Sequence, residues 1–102
     1  MITASGYREV VRNTLQGFIT LTLSPSGILL KECTYHVRPD GRRWVGLPSK
    51  PQIDADGRHR KDPASGKALY TSIVEISGKA ERERFEKAGI EAIDKLLGRG
   101  TP

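Results

Sequence analysis

The chain has little with which to crosslink itself, cross a membrane or hold a metal. Cys33 is the single cysteine in 102 residues. An intrachain disulfide is therefore excluded, and the composition fits a reducing compartment. Histidines number two, His36 and His59. Cys33 and His36 stand three apart on an expected strand, where such positions point to opposite faces, so neither a shared ion nor a Cys/His nucleophilic pair is readily built from them. No run approaches the roughly 18 apolar residues of a membrane span. The start, MITASGYREVV, has neither the basic residues nor the apolar run of a signal peptide. A cytoplasmic location is the expectation. Neither a Gly-rich phosphate loop nor a nucleophile elbow occurs. The segment DADG (54–57) lacks the ligand spacing and terminal glutamate of a calcium loop. Asp54, Asp56 and Asp62 are better read as turn formers. The sequence thus points away from an enzyme, with no cofactor and no metal.

What the chain does have is positive charge, unevenly placed. Its net charge is +5. Residues 79–97 carry five cations and five carboxylates, a net of zero. Residues 38–67 carry eight cations, among them Arg42, Arg43, Lys50, Arg58, Arg60 and Lys61, against four carboxylates, a net of +4. The surplus lies in the middle of the chain. Such a patch attracts polyanions at long range and in a salt-dependent way. Solubility is the plainer use of the same charge.

Hydropathy patterning gives the organisation. GFITLTL (17–23) alternates, with Ile19, Leu21 and Leu23 on one face, and reads as a strand. SPSG (24–27) is turn chemistry. ILLKECTYHVR (28–38) is a second strand, with Leu29, Cys33, Tyr35 and Val37 expected on one face and Ile28, Leu30, Glu32 and His36 on the other. PDG (39–41) turns into a third strand, RRWVGLP (42–48), and YREVVRN (7–13) is a candidate first strand. Residues 48–67 hold three prolines and two glycines and read as a long basic loop, of the length that is commonly functional or disordered. YTSIVEIS (70–77) returns as a strand. The last element is a helix over 78–98, its apolar stripe traced by Phe85, Gly89, Ala92, Ile93 and Leu96, with Ser77 expected as N-cap and Gly98 as the residue after the C-cap. The fold class expected is α+β: an antiparallel four- to five-stranded meander with one C-terminal helix packed on the sheet. It forms a single domain over 1–102, with flexible ends at 1–6 and 98–102.

One helix covers one face of such a sheet, and function is to be sought on the other. On the strand 42–48, Val45 and Leu47 make the better core face, which places Trp44 opposite, beside Arg42. An exposed indole with neighbouring cations suits stacking on unpaired bases. Packing of Trp44 under the long loop or in a dimer interface is the alternative. GRHRK (57–61) sets Arg58, Arg60 and Lys61 at an expected loop tip, where cations reach phosphates without exact geometry. The candidate nucleic-acid-binding residues are therefore Arg42, Arg43, Trp44, Lys50, Arg58, Arg60 and Lys61. DNA or RNA is the expected partner. A protein-interaction module docking through the sheet, without nucleic acid, is the rival.

Four features in order carry a resemblance to a known family: the strand GFITLTL, a second long strand, the strand and corner VGLPSK (45–50), and a last strand running into SGKAERERFEKAGIEAI (77–93). Together they resemble the SpoVG (stage V sporulation protein G) family. That resemblance implies a small antiparallel sheet with C-terminal helical structure, a homodimer, and nucleic-acid binding, with Pro48, Ser49 and Lys50 as a shared corner. The chain departs from the family pattern in its longer, more basic segment 51–67 and in TSIVEIS (71–77).

Overall fold

A computed structural model of the chain describes residues 1–98. Four antiparallel strands, β1 (Ile2–Arg12), β2 (Leu15–Leu23), β3 (Ile28–Val37) and β4 (Arg43–Gly46), lie side by side in chain order. Two short strands, β5 (Ser49–Pro51) and β6 (Tyr70–Ser72), pair only with each other, and α1 (Lys79–Leu96) closes the described chain. The class is α+β, as the patterning indicates.

Each hairpin is shaped by a residue able to take positive φ. Asn13 (φ 56°) turns β1 into β2, Gly27 (φ 77°) turns β2 into β3, and Gly41 (φ 91°) turns β3 into β4. The expected flexible end at 1–6 is instead sheet: Ile2 to Ser5 pair in register with Leu23 to Thr20. Alternating residues hold this segment down, since Ala4 is buried and Ile2 packs against the core. Of the other expected flexible end, 98–102, Gly98 is described and residues 99–102 lie outside the described residues.

Two bulges flank the middle of β2. In β1, Gly6 and Tyr7 together face Ile19, with Gly6 at φ 62°. In β3, Lys31 and Glu32 together face Thr20, with Glu32 at φ 62°. An extra residue reverses the alternation beyond it. This corrects the faces expected for β3: Leu30, not Leu29, joins Cys33 and Tyr35 in the core, and Leu29 is half exposed. A glutamate in the left-handed region costs on the order of 1 kcal/mol, so the packing of Leu30 and Cys33 must hold it there.

The core lies between one sheet face and α1. Ala4, Ile19, Leu21, Leu30, Cys33 and Tyr35 come from the sheet, and Ala92 and Ile93 from the helix. Gly89 sits at the closest approach: a Cβ there would lie 3.5 Å from Leu21 and 3.6 Å from Val45. The N-cap is Gly78 rather than the expected Ser77, and no side chain caps the helix. Glu81 folds back into the space that a Gly78 side chain would fill. At the other end Gly98 takes φ 72° after the C-cap Leu97, as its position in the sequence implies. Leu96, placed on the apolar stripe by its spacing, is exposed, while Asp94 is buried.

The segment read as a loop is a folded ribbon. Ser49–Pro51 and Tyr70–Ser72 form its stem, so YTSIVEIS does not join the main sheet and is strand only over its first three residues. Above the stem, three backbone hydrogen bonds close a junction: Gln52 N to Leu69 O, Arg60 N to Gln52 O, and Leu69 N to Arg60 O, each 2.8–2.9 Å. Two arms leave it, one bridged at Ile53 and His59, the other at Lys61 and Ala68. Aspartates shape both tips. Asp54 Oδ1 accepts from the amides of Asp56 and Arg58, and Asp62 accepts from the amide of Ala64 and the hydroxyl of Ser65. The ribbon stands away from the sheet and helix, and the radius of gyration is 15.0 Å, against about 13 Å for a compact chain of this length.

Candidate nucleic-acid interface

The stretch RRW at 42–44 sends its side chains to different places. Arg42 precedes β4. Its amide donates to Asp40 Oδ1, and its side chain lines the groove between β4 and α1, together with Glu83, Glu86 and Glu91. It therefore stands on the helix side, not beside Trp44 as the alternation implied, because residue 42 lies in the turn, outside the pleat. Arg43 points the same way. Its Nη1 donates to Asp94 Oδ1 at 2.5 Å and to the Tyr35 hydroxyl at 3.2 Å. Those two hydrogen bonds, Asp94 first, raise the guanidinium pKa further above its ordinary value. The positive charge of Arg43 is matched by a buried carboxylate.

Trp44 takes the opposite face, the one α1 leaves uncovered. It stacks on His36 of β3, with ring centroids 4.9 Å apart and planes within 2° of parallel. The imidazole is held at both nitrogens, Nδ1 to Thr14 Oγ1 at 3.1 Å and Nε2 to Thr34 Oγ1 at 3.0 Å, one nitrogen donating and the other accepting in the neutral ring. Partial burial lowers its pKa, which favours that neutral form. Gly46 leaves room for this network, since a Cβ there would collide with the Thr34 hydroxyl.

The next cross-strand row runs Arg8, Phe18, Thr34, Gly46, one residue from each of the four strands. The Arg8 guanidinium carbon lies 5.0 Å from the centre of the Phe18 ring, and Arg8 also pairs with Glu32 at 3.0 Å. The uncovered face thus carries one stacked pair of rings, Trp44 on His36, and one cation over a ring, Arg8 over Phe18. The β1 bulge brings Arg8 to it, and the β3 bulge brings Glu32 within reach of Arg8.

Lys50, Arg58, Arg60 and Lys61 all lie on the ribbon, and all are exposed. Lys67 joins them there. Among the described residues none of these five side chains enters an ion pair. Of the ribbon's aspartates, Asp54 and Asp62 accept hydrogen bonds within the arm tips, and neither they nor Asp56 form an ion pair with these cations among the described residues. Lys50 and Arg60 line one cleft with Gln52 and Thr71. Cys33, buried in the core, and His36, on the uncovered face, do not come together; among the described residues no three His, Cys, Asp or Glu side chains converge to hold a metal. No helix among the described residues is long and apolar enough to cross a membrane.

The seven residues singled out from sequence therefore fall into three places: Arg42 and Arg43 by the helix, Trp44 on the uncovered face, and four cations on the ribbon. Sequence reasoning passed over Arg8, Phe18 and Thr34. Phe18 was within reach of it, since period two places it opposite Ile19. Arg8 was not, because a bulge lies between it and Ala4. Comparison with protein-family models, with curated proteins and with solved structures gives no match to this chain.

Proposed function

We propose that this chain is a non-enzymatic nucleic-acid-binding protein that grips phosphates with the ribbon cations Lys50, Arg58, Arg60 and Lys61 and presents Trp44 as an aromatic contact. The observation that carries this reading is the set of ribbon cations, exposed and in no ion pair among the described residues. Unpaired surface cations release counterions from a polyanion on contact, the main source of affinity in non-specific binding. Arg43 has a different part in this reading. It ties the sheet to the helix, and its matched charge adds little to the attraction. Arg42 lies in a groove lined by both carboxylates and lysines of α1, apart from the ribbon cations.

The corner Pro48-Ser49-Lys50, which carries the resemblance to the SpoVG family, is where the chain leaves the main sheet for the ribbon, with Pro48 O accepting from Ile73 N. A relation to that family, and the homodimer it implies, are parts of the same proposal. Among the described residues, the outer edge of β1, eleven residues long, has no strand beside it; it supports equally the rival reading, a protein that docks by strand addition.

Fluorescence anisotropy with labelled oligonucleotides at low salt tests the reading. Binding is expected to weaken steeply as salt rises. The triple reversal Arg58→Glu, Arg60→Glu, Lys61→Glu is expected to abolish most of it without lowering the thermal midpoint, since none of those side chains holds the fold together. Absence of binding at about 100 μM protein, the weak end of non-specific affinity, removes the proposal.

A further inference from the structure

The uncovered face is built to take something flat. Its two π pairs sit in successive rows of this face, with the small residues Thr34 and Gly46 in the second row beside Phe18. One face of the Trp44 ring is covered by His36. β4 is the edge of the sheet, so no strand of the main sheet lies on the far side of the indole. A planar ring added there would extend an existing stack. The chain then runs directly to the ribbon: Lys50 is six residues from Trp44, so its Cα lies within about 20 Å. A phosphate-binding surface is thus tethered next to a stacking surface.

The second pair carries a competitor. Arg8 lies over Phe18 and is held from the side by Glu32, both side chains 60% exposed. Exposed pairs of this kind are weak. A backbone phosphodiester carries the same single negative charge as the carboxylate and offers Arg8 an equally bidentate partner, and its binding also releases condensed counterions. Arg8 can therefore leave Glu32 for a backbone phosphate while a base lies against the ring system beneath. Glu32 itself has no such exchange open to it and repels the incoming anion.

Resting on the reading above, and deepening it, we infer that the ligand is single-stranded nucleic acid: one base stacks on the side of Trp44 away from His36, and Arg8 passes from Glu32 to a phosphate of the same strand. Duplex bases are already stacked on each other and present only edges and backbone. A face of standing rings has nothing to grip there, whereas any unpaired base has a π surface to offer.

Trp44 is the sole tryptophan, so intrinsic fluorescence reports on this contact directly. Titration with oligothymidylate should quench it, and a duplex of the same length should bind at least tenfold more weakly with little quenching. Trp44→Ala should weaken single-strand affinity about 5- to 100-fold and leave duplex affinity nearly unchanged. Glu32→Gln, which does not depend on the indole, should strengthen single-strand binding several-fold and steepen its salt dependence by about one counterion. Equal affinity for single strand and duplex with unchanged fluorescence overturns this inference while the broader nucleic-acid reading stands. Weaker or unaltered binding by Glu32→Gln overturns the role given to Arg8. Failure of both probes to bind removes the broader reading, and this one with it.

Discussion

Arg43 of β4 and Asp94 of α1, 51 residues apart in the chain, form an ion pair at 2.5 Å that joins the edge of the sheet to the last turns of the helix. Tyr35, fully buried in β3, donates no bulk to this joint but holds the same guanidinium nitrogen through its hydroxyl. The arrangement explains how a helix stripe that includes Asp94 can face a core. Buried charge is tolerated where its partner is fixed and hydrogen-bonded.

Removing one partner should expose the cost of that burial. Arg43→Ala is expected to lower stability by about 2 kcal/mol, less than for a fully buried pair because the Arg43 side chain is 34% exposed and water screens part of the loss. Asp94→Ala should cost a similar amount, and the double variant less than the two together. Chemical denaturation measures all three. Strict additivity would show that the two residues do not act as a pair.

Gly89 offers the opposite sign. A Cβ there would make ordinary contacts with Leu21 and Val45 at 3.5 and 3.6 Å. Glycine in a helix interior costs roughly 0.5–1 kcal/mol relative to alanine. Gly89→Ala is therefore expected to raise the thermal midpoint by several degrees. A lower midpoint would mean that the helix cannot tolerate even a methyl group at its crossing of the sheet.

On the acid side, His36 sets a slope. Burial lowers its folded-state pKa below the ordinary 6.5, so in that range the unfolded chain binds more protons. Stability should then be complete above 6.5 and fall as pH drops through the folded-state value. His36→Gln should flatten that part of the stability profile, measured by denaturation at a series of pH values. A slope unchanged by the substitution would assign it elsewhere.

On the alkaline side, Cys33 acts in the reverse direction. Burial raises its thiol pKa from 9.0 to about 11. The contribution is fully present below 9.0 and is lost as pH rises from there to about 11, on the order of 3 kcal/mol in total. The difference between the chain and its Cys33→Ala variant should change across that window by this amount. A constant difference would show that the thiolate is no more costly inside than in the unfolded chain.

The alternation of Ile19, Leu21 and Leu23, the turn residues at 24–27 and 39–41, and the spacing of Phe85, Gly89, Ala92 and Ile93 were legible from residues alone, because each depends on neighbours within one or two turns of chain. They settle the class, the meander and the helix. The same local period indicates that Trp44 lies opposite Val45. Three matters were decided only in the folded molecule. The bulges at Gly6 and Glu32 exchange inward for outward residues, and whether an extra residue is absorbed depends on the partner strand. Arg43 finds Asp94 across half the chain, so a charge that reads as free is matched. The segment 48–67 folds because its stem closes with Tyr70–Ser72, and Asp54 and Asp62 accept hydrogen bonds within its own turns while its cations stay exposed. Local propensity is written residue by residue, whereas which charge meets which, and on which face, follows from contacts that only the closed chain can make.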